Sequence, residues 1–132
     1  MNSVYDYERR ERLGMPEAVF CEGKDIASLG ALLAELRARP DHPTLFTRLY
    51  RAQFDQLASD LTAGLDYESV SGTALLHGTL PARPGDVAVV TAGTSDLRVA
   101  REAERTLAFM GVRTQLYADI GVAAVWRLMD RI

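Results

Sequence analysis

The feature that most constrains the fold of this chain is a continuous apolar run, Val87-Ala88-Val89-Val90, inside segment 86–91. A run without polar alternation predicts a strand that is buried on both faces, as in a parallel sheet. A tight polar loop follows at 92–96. Apolar residues then recur at helical spacing and predict one apolar helix face: Leu97, Ala100, Ala103, Leu107 and Met110. Gly111 stands where a helix C-terminal cap is expected.

The same pattern begins again after Gly111. Residues 112–117 predict a second strand, 118–121 a second loop, and 122–132 a second amphipathic helix. Such a β-loop-α-β-loop-α order opens a doubly wound parallel sheet, so the fold class is α/β. Two parallel strands alone leave sheet edges exposed. We therefore expect an incomplete sheet, extended by another chain or by the upstream strands, or, as the favoured interpretation, a truncated form of a longer protein.

The upstream residues predict a separate, small α+β domain. Helical patterns cover 5–12, 25–39 and 52–62, and strand patterns cover 18–21, 44–50 and a hairpin of 65–70 with 73–77. Asp25 can cap the second of these helices. Pro81, Pro84 and Gly85 make 79–85 the best linker. We therefore expect a small N-terminal domain over 1–80 and a partial nucleotide-binding domain over 81–132.

Charge and composition exclude several classes of function. The formal net charge of -3 does not favour binding to nucleic-acid phosphates. No apolar run approaches the roughly 20 residues of a membrane span, and the polar N-terminus does not read as a secretory signal. Cys21 is the only cysteine, which excludes an internal disulfide and a thiolate metal cluster. We expect a cytoplasmic protein without nucleic-acid or membrane partners.

The loop Gly93-Thr94-Ser95-Asp96 is the best candidate for chemistry. Ligands of open α/β sheets bind beyond the carboxyl ends of strands, where this loop lies. Gly93 permits close backbone approach, Thr94 and Ser95 offer hydroxyls, and the amides that open the next helix suit a phosphate. Asp96 can accept hydrogen bonds from ribose hydroxyls. The alternative is that this loop only caps the helix.

Three motifs resemble one known family. Residues 90–97, Val-Thr-Ala-Gly-Thr-Ser-Asp-Leu, resemble the signature loop of LarB proteins, and related PurE carboxylases cradle a nucleotide phosphate and ribose with a Gly-Ser-x-Ser-Asp loop. Residues 117–123 resemble the family's Tyr-Asp-Val-Gly-Val-Ala. An upstream set resembles its Arg-x-x-Gly-Phe-Pro-Glu-Val-x-x-Gly-Glu-Gly-Lys: Arg9, Arg12, Gly14, Pro16, Glu17, Glu22, Gly23 and Lys24.

This resemblance implies a function and a site. LarB enzymes carboxylate the pyridinium ring of nicotinic acid adenine dinucleotide and hydrolyse its phosphoanhydride, which releases AMP and gives a precursor of the nickel-pincer cofactor. They use carbon dioxide, depend on Mg²⁺ and form oligomers with sites between subunits. The nucleotide-binding residues it implies are Gly93, Thr94, Ser95, Asp96, Asp119, Gly121 and Lys24, with a PurE-like second domain and no protein metal ligands.

The chain departs from the family pattern at three points. The family's reactive cysteine belongs to a later part of the PurE-like domain, and Cys21 stands where the family usually has glycine. We interpret Cys21 as a small buried hydrophobe. Trp126 stands where the family has histidine and cannot shuttle a proton; packing is favoured over stacking on a pyridinium or adenine ring. We expect the remaining strands of the sheet to lie outside this sequence, so the catalytic residues stay unassigned.

Other polar residues favour structural roles. Arg9 and Arg12 are expected to be surface arginines rather than a fork for a carboxylate. His42 and His77 lack partners at metal-ligand spacing. Glu102, Glu104 and Arg105 are expected to form a solvated helix face. Lys24, on a turn with Glu22, fits a phosphate contact and a solvated charge equally well.

Three functions remain open at this point. The first is a LarB-like enzyme or half of one. The second is a non-catalytic binding or scaffold subunit that completes its sheet with a partner chain. A PurE-type aminoimidazole ribonucleotide carboxylase is the least favoured, because the sequence Ala-Gly-Thr-Ser-Asp at 92–96 and the upstream domain fit it poorly.

Overall fold

The computed structural model describes residues 4–121, Trp126 and residues 129–130. In chain order the elements are α1 (Arg9–Leu13), β1 (Val19–Phe20), α2 (Ile26–Arg37), β2 (Thr44–Thr47), α3 (Arg51–Phe54), α4 (Ser59–Thr62), β3 (Asp66–Glu68), β4 (Thr73–Leu76), β5 (Asp86–Val90), α5 (Leu97–Phe109) and β6 (Arg113–Tyr117). The chain is therefore a mixed α/β protein with one mixed sheet and one parallel strand pair.

The first sheet has the strand order β1-β2-β4-β3. β1 pairs with β2 in parallel, and β2, β4 and β3 are joined by antiparallel pairing. Helix α2 covers one face with a buried leucine stripe: Leu29, Leu32, Leu33 and Leu36. Asp25 caps this helix as predicted, because its Oδ1 accepts a hydrogen bond from the Ser28 amide at 2.8 Å.

The predicted helix over 52–62 is wrong, because two short helices, α3 and α4, occupy that segment. Ala58 has an extended backbone between them (φ −61°, ψ 141°), which interrupts the helix. The apolar residues still pack inward: Leu57 is buried, and the Phe54 ring stacks on Tyr67 with 3.9 Å between centroids. Phe54 and Leu57 therefore pack inward from two short helices and the break between them, and not from one continuous helix.

The second sheet confirms the predicted parallel pair. β5 and β6 run in register from Asp86 opposite Arg113 to Val90 opposite Tyr117, and α5 links them. The expectation that β5 is buried on both faces is wrong. Val87 is 39% exposed and Val90 55% exposed, because α5 packs on one face of the pair and no other described residue covers the opposite face.

Helix α5 has a second face that contacts the first sheet. Arg101 pairs with Glu68, Arg48 pairs with Glu102, and the Arg105 side chain, only 16% exposed, pairs with Asp66. The expected solvated face of Glu102, Glu104 and Arg105 is therefore wrong. Glu102 and Arg105 pair with side chains of the first sheet and its loops, which helical periodicity cannot detect, and Glu104 pairs with Arg101 of α5 itself.

Segment 79–85 packs along the end of α5. The Leu80 amide donates to the Phe109 carbonyl and the Arg83 amide to the Gly111 carbonyl, both at 2.8 Å. Leu80 is buried in an apolar cluster with Leu45, Leu75 and Phe109. The division into domains 1–80 and 81–132 stays a prediction. The expected helix over 122–132 lies outside the described residues except for Trp126 and residues 129–130.

Candidate functional site

Two loops follow the carboxyl ends of the parallel strands β5 and β6, and Thr91 ties them together. The Thr91 hydroxyl donates to the Gly93 carbonyl at 3.0 Å and accepts from the Asp119 amide at 3.3 Å. The Thr91 carbonyl accepts from the Ile120 amide at 3.0 Å. A single buried threonine therefore holds the predicted loops at one edge of the strand pair, side by side.

The second loop approaches the first through Gly121. A Cβ atom at Gly121 would lie 2.9 Å from the Ala92 carbonyl oxygen, which is closer than real Cβ contacts allow. Asp119 adopts a left-handed backbone with φ of 57°, which turns the chain back toward Thr91. Aspartate tolerates this conformation better than most residues. Glycine and aspartate at these positions are thus explained by the contact between the two loops.

The first loop presents its polar residues to solvent. Gly93 is extended, Thr94–Asp96 form a 3-10 turn, and α5 begins at Leu97. Thr94, Ser95 and Asp96 are exposed, so Ser95 is not sealed in the core. The Asp96 side chain makes no capping hydrogen bond to α5, which removes the capping alternative for its carboxylate. This carboxylate is available to a ligand.

A hollow of about 350 Å³ opens beside the first loop. Its lining includes Val90, Thr91, Ala92 and Asp96, with Val99 of α5 opposite. Apolar walls with a few polar groups at one end are typical of small-molecule sites. The hollow has room for a sugar or a ring next to the turn.

Lys24 lies elsewhere, on the turn that follows β1. The Gln53 side-chain amide donates to the Cys21 carbonyl at 2.8 Å and to the Lys24 carbonyl at 3.1 Å, which fixes this turn. Lys24 borders a separate hollow of about 220 Å³ with Phe20 and Glu17. Among the described residues its ammonium makes no salt bridge or hydrogen bond, and it lines a different hollow from the loop 93–96.

Arg48 is a residue that sequence reasoning missed. It lies just after β2 and has a left-handed backbone, with φ of 53°. Its Nε lies 2.8 Å from a carboxylate oxygen of Glu102, and its Nη1 lies 3.6 Å from one of Glu22. The hydrogen bond to Glu102 raises the pKa of Arg48. Arg48 therefore links the turn that carries Lys24 to α5. The partner Glu102 is 54 positions away in the chain, so no local pattern indicated it.

The remaining candidates have structural roles. Cys21 is fully buried, and burial raises the pKa of its thiol to about 12, so it is not a nucleophile at neutral pH. Burial also lowers the pKa of His42, whose Nε2 lies 3.1 Å from the Tyr5 hydroxyl. His77 Nε2 lies 3.2 Å from the Leu36 carbonyl. No group of three metal-ligating side chains occurs within the described part of the chain.

The residues of the upstream motif make contacts that stabilise the N-terminal segment. Arg12 forms a salt bridge with Asp6 at 2.5 Å, and Gly14 ends α1 in a left-handed conformation. The Glu17 carboxylate accepts from the Asp6 amide at 2.7 Å. Arg9 Nε is buried without a hydrogen-bond partner among the described residues. Trp126 is exposed, with 64% of its surface accessible.

Fold and site together define an α/β protein whose paired loops meet at the carboxyl edge of a parallel strand pair. The family described as LarB/PurE-like N-terminal domain matches residues 2–78, which is more than half of the chain. The chain belongs to this family. The match includes the stretch after Asp25, where the motifs alone gave no resemblance beyond the order of elements.

The chain is also similar to the uncharacterized protein MJ0165 of Methanocaldococcus jannaschii. The two are 29% identical over 135 aligned positions, which cover 96% of this chain and 52% of the relative. The chain thus spans about half the length of the curated relative it matches, and the alignment continues past residue 78 through both loops. Among the described helices, none is long and apolar enough to cross a membrane.

Proposed function

We propose that this chain binds a pyridine dinucleotide, nicotinic acid adenine dinucleotide, as the nucleotide-binding half of a LarB-type carboxylase and phosphoanhydride hydrolase. The observation that carries the proposal is the pair of hydrogen bonds made by the Thr91 hydroxyl. They hold an exposed Gly-Thr-Ser-Asp turn and the Asp119 loop at one edge of a parallel strand pair. Ligands of open α/β sheets bind at this edge. The family membership favours this class of nucleotide.

Each residue of the first loop has a role in binding. The free amides at the start of α5, a helix of 13 residues, favour a phosphate through their partial positive charge. The exposed Thr94 and Ser95 hydroxyls donate to phosphate oxygens, and the Asp96 carboxylate accepts from ribose hydroxyls. The neighbouring hollow takes the sugar or its attached ring. Asp119 and Gly121 belong to the second loop and set the width of the cleft between the two loops.

Carboxylation with carbon dioxide and release of AMP follow from the family resemblance. Mg²⁺ usually keeps water and is bound through one or two carboxylates plus substrate phosphates. The exposed Asp96 fits that mode, whereas no cluster of ligands among the described residues fits a site made of protein alone. When bound, the ion would neutralise phosphate charge. Since Cys21 is buried and is the only cysteine of this sequence, the reactive cysteine that the resemblance implies would have to come from outside this sequence.

The test is calorimetric titration of the full chain with nicotinic acid adenine dinucleotide, with and without Mg²⁺. We expect saturable heat for the wild type and at least a tenfold weaker dissociation constant for Ser95→Ala and Asp96→Asn, about 1.4 kcal/mol each. Ser69→Ala, an exposed serine on the β3–β4 turn, is the matched control and keeps the wild-type affinity. Absence of heat with any pyridine nucleotide would contradict the proposal.

A second candidate function is a non-catalytic subunit that completes its sheet with a partner chain or a second copy. The exposed Val87 and Val90 on β5 favour it, because parallel strands are normally covered on both faces. It predicts oligomers, or a stable complex, in light scattering and no carboxylation by this chain alone. A stable monomer that binds the dinucleotide would exclude it.

A further inference from the structure

The order of contacts along α5 fixes the direction of β2. Leu45, in β2, packs in one cluster with Phe109 at the end of α5. Arg48, three residues on, reaches Glu102, and the Arg98 guanidinium lies 5.1 Å from the centre of the Tyr50 ring. The chain from β2 to Tyr50 therefore runs antiparallel to α5, toward the helix N-terminus. That N-terminus carries the turn Thr94–Asp96.

The turn after β1 reaches the same end of the molecule. β1 is parallel to β2, with Phe20 opposite Thr47, so both strands end together. Arg48 Nη1 then lies 3.6 Å from Glu22, one residue before Gly23. Glu102 follows Asp96 by six residues, which is about 9 Å along a helix axis. The turn that carries Lys24 is thus at the same end of the first sheet as the start of α5 and the loop 93–96.

The turn is held firmly although it is largely exposed. Gln53 fixes the carbonyls of Cys21 and Lys24, and Arg48 forms an ion pair with the Glu22 carboxylate at 3.6 Å. Arg48 maintains a left-handed backbone, which is uncommon for a residue with a side chain and persists where surrounding contacts impose it. Among the described residues Lys24 keeps an unpaired ammonium. A fixed turn that presents one free cation suits an anionic ligand group.

We propose that Arg48 is a positioning residue that holds the turn carrying Lys24 at the end of the first sheet where α5 begins, so that Lys24 and the loop 93–96 bind opposite ends of one extended dinucleotide. The inference rests on the proposed function. The loop takes one phosphate and ribose, and Lys24 meets the second phosphate or the ring carboxylate. A mononucleotide reaches only the loop.

The experiment compares the dinucleotide with its halves on the full chain. Calorimetry is run with nicotinic acid adenine dinucleotide, AMP and nicotinic acid mononucleotide on wild type, Arg48→Met, Lys24→Met and the double variant. Arg51→Met is the matched control, since within the described part of the chain Arg51 pairs only with the exposed Asp55 and faces Phe54. Hydrogen exchange of the amides at 22–25 reports the position of the turn without a ligand.

We expect Arg48→Met and Lys24→Met each to weaken the dinucleotide about five- to tenfold and the preferred mononucleotide less than twofold. The double variant should lose no more than either single variant, and exchange at 22–25 should quicken in Arg48→Met but not in Arg51→Met. Equal loss for dinucleotide and mononucleotide, or no loss, overturns the role of Arg48 while leaving the proposed function intact. If the wild type binds none of the three ligands, both the role of Arg48 and the proposed function are contradicted.

Discussion

Arg105 Nη1 lies 3.1 Å from both carboxylate oxygens of Asp66, a residue 39 positions earlier in the chain. The same guanidinium donates from Nε to the Thr73 hydroxyl at 2.9 Å. Thr73 is fully buried and its hydroxyl also contacts that of Ser71. One arginine of α5 therefore joins the helix to the β3–β4 hairpin of the first sheet.

Arg105→Met should lower the free energy of unfolding by about 1–2 kcal/mol. The substitution keeps much of the aliphatic stem but removes the hydrogen bonds to Asp66 and Thr73, and the Arg105 side chain is only 16% exposed. Urea denaturation measures the change. Arg113→Met is the control, because the Arg113–Asp86 pair is largely exposed at both ends and should contribute little to stability. Equal effects of the two substitutions would contradict the assigned role of Arg105.

Gly111→Ala should destabilise the chain by more than about 2 kcal/mol. Gly111 has φ of 81°, and a Cβ there would lie 2.2 Å from the Pro81 carbonyl oxygen, a backbone atom that cannot move aside easily. Gly64→Ala is the matched control: its φ is 79°, but nothing lies within 4 Å of the added atom. Gly64→Ala should therefore cost only about 1 kcal/mol, the left-handed strain alone. Thermal unfolding of the two variants separates the cost of the left-handed backbone from the cost of the contact with the Pro81 carbonyl.

The Cys21 thiol should make stability fall with rising pH above its ordinary pKa of 9.0. Burial raises the pKa in the folded chain to about 12, so the unfolded chain loses its proton first and is favoured as the pH rises. The contribution is fully present below pH 9.0 and is lost toward pH 12, at most about 1.4 kcal/mol per pH unit.

The measurement for Cys21 is urea denaturation between pH 9 and 10, below the ordinary pKa of 10.0 of Tyr5, which burial also raises to about 12. Cys21→Ala should show a shallower decline than wild type in this window. Native protein should also resist alkylation at Cys21 until it is unfolded. Rapid alkylation of the folded chain would show that the thiol is accessible and would contradict this account.

The parts of the fold that could be predicted from the sequence depend on local signals. The run at Val87–Val90 predicted β5, Gly111 predicted the end of α5, and Asp25 predicted the start of α2. The order of these elements was enough to predict the parallel pair and the edge on which the two loops lie. Each signal acts through the backbone of its own segment, so no distant partner is needed.

The parts that could not be predicted depend on distant partners. Glu102 and Arg105 read as a solvated face because helical spacing reports where charges lie, not whether another sheet meets them. Arg48 carried no signal, since its left-handed backbone and both of its carboxylate partners arise only in the folded chain. The exposure of Val90 likewise depends on what covers the strand. For the candidate site, the sequence predicted the loop residues but not the tie at Thr91.

Thr91→Val should weaken nucleotide binding more than it weakens the fold. Valine has nearly the same shape as threonine but lacks the hydroxyl that donates to the Gly93 carbonyl and accepts from the Asp119 amide. Two neutral hydrogen bonds contribute about 1–2 kcal/mol, and their loss frees the loops from each other. We expect faster hydrogen exchange at Asp119 and a dissociation constant raised about fivefold or more.

Thr91→Ser is the control for this change, because it keeps the hydroxyl and removes only a methyl group from a residue that is 6% exposed. It should retain wild-type affinity and slow exchange at Asp119, at a modest cost in stability from the small cavity. If Thr91→Ser and Thr91→Val weaken nucleotide binding equally, the shape of the threonine side chain and not its hydroxyl maintains the cleft. The two loops would then be held by packing, and the hydrogen bonds through Thr91 would be incidental to the site.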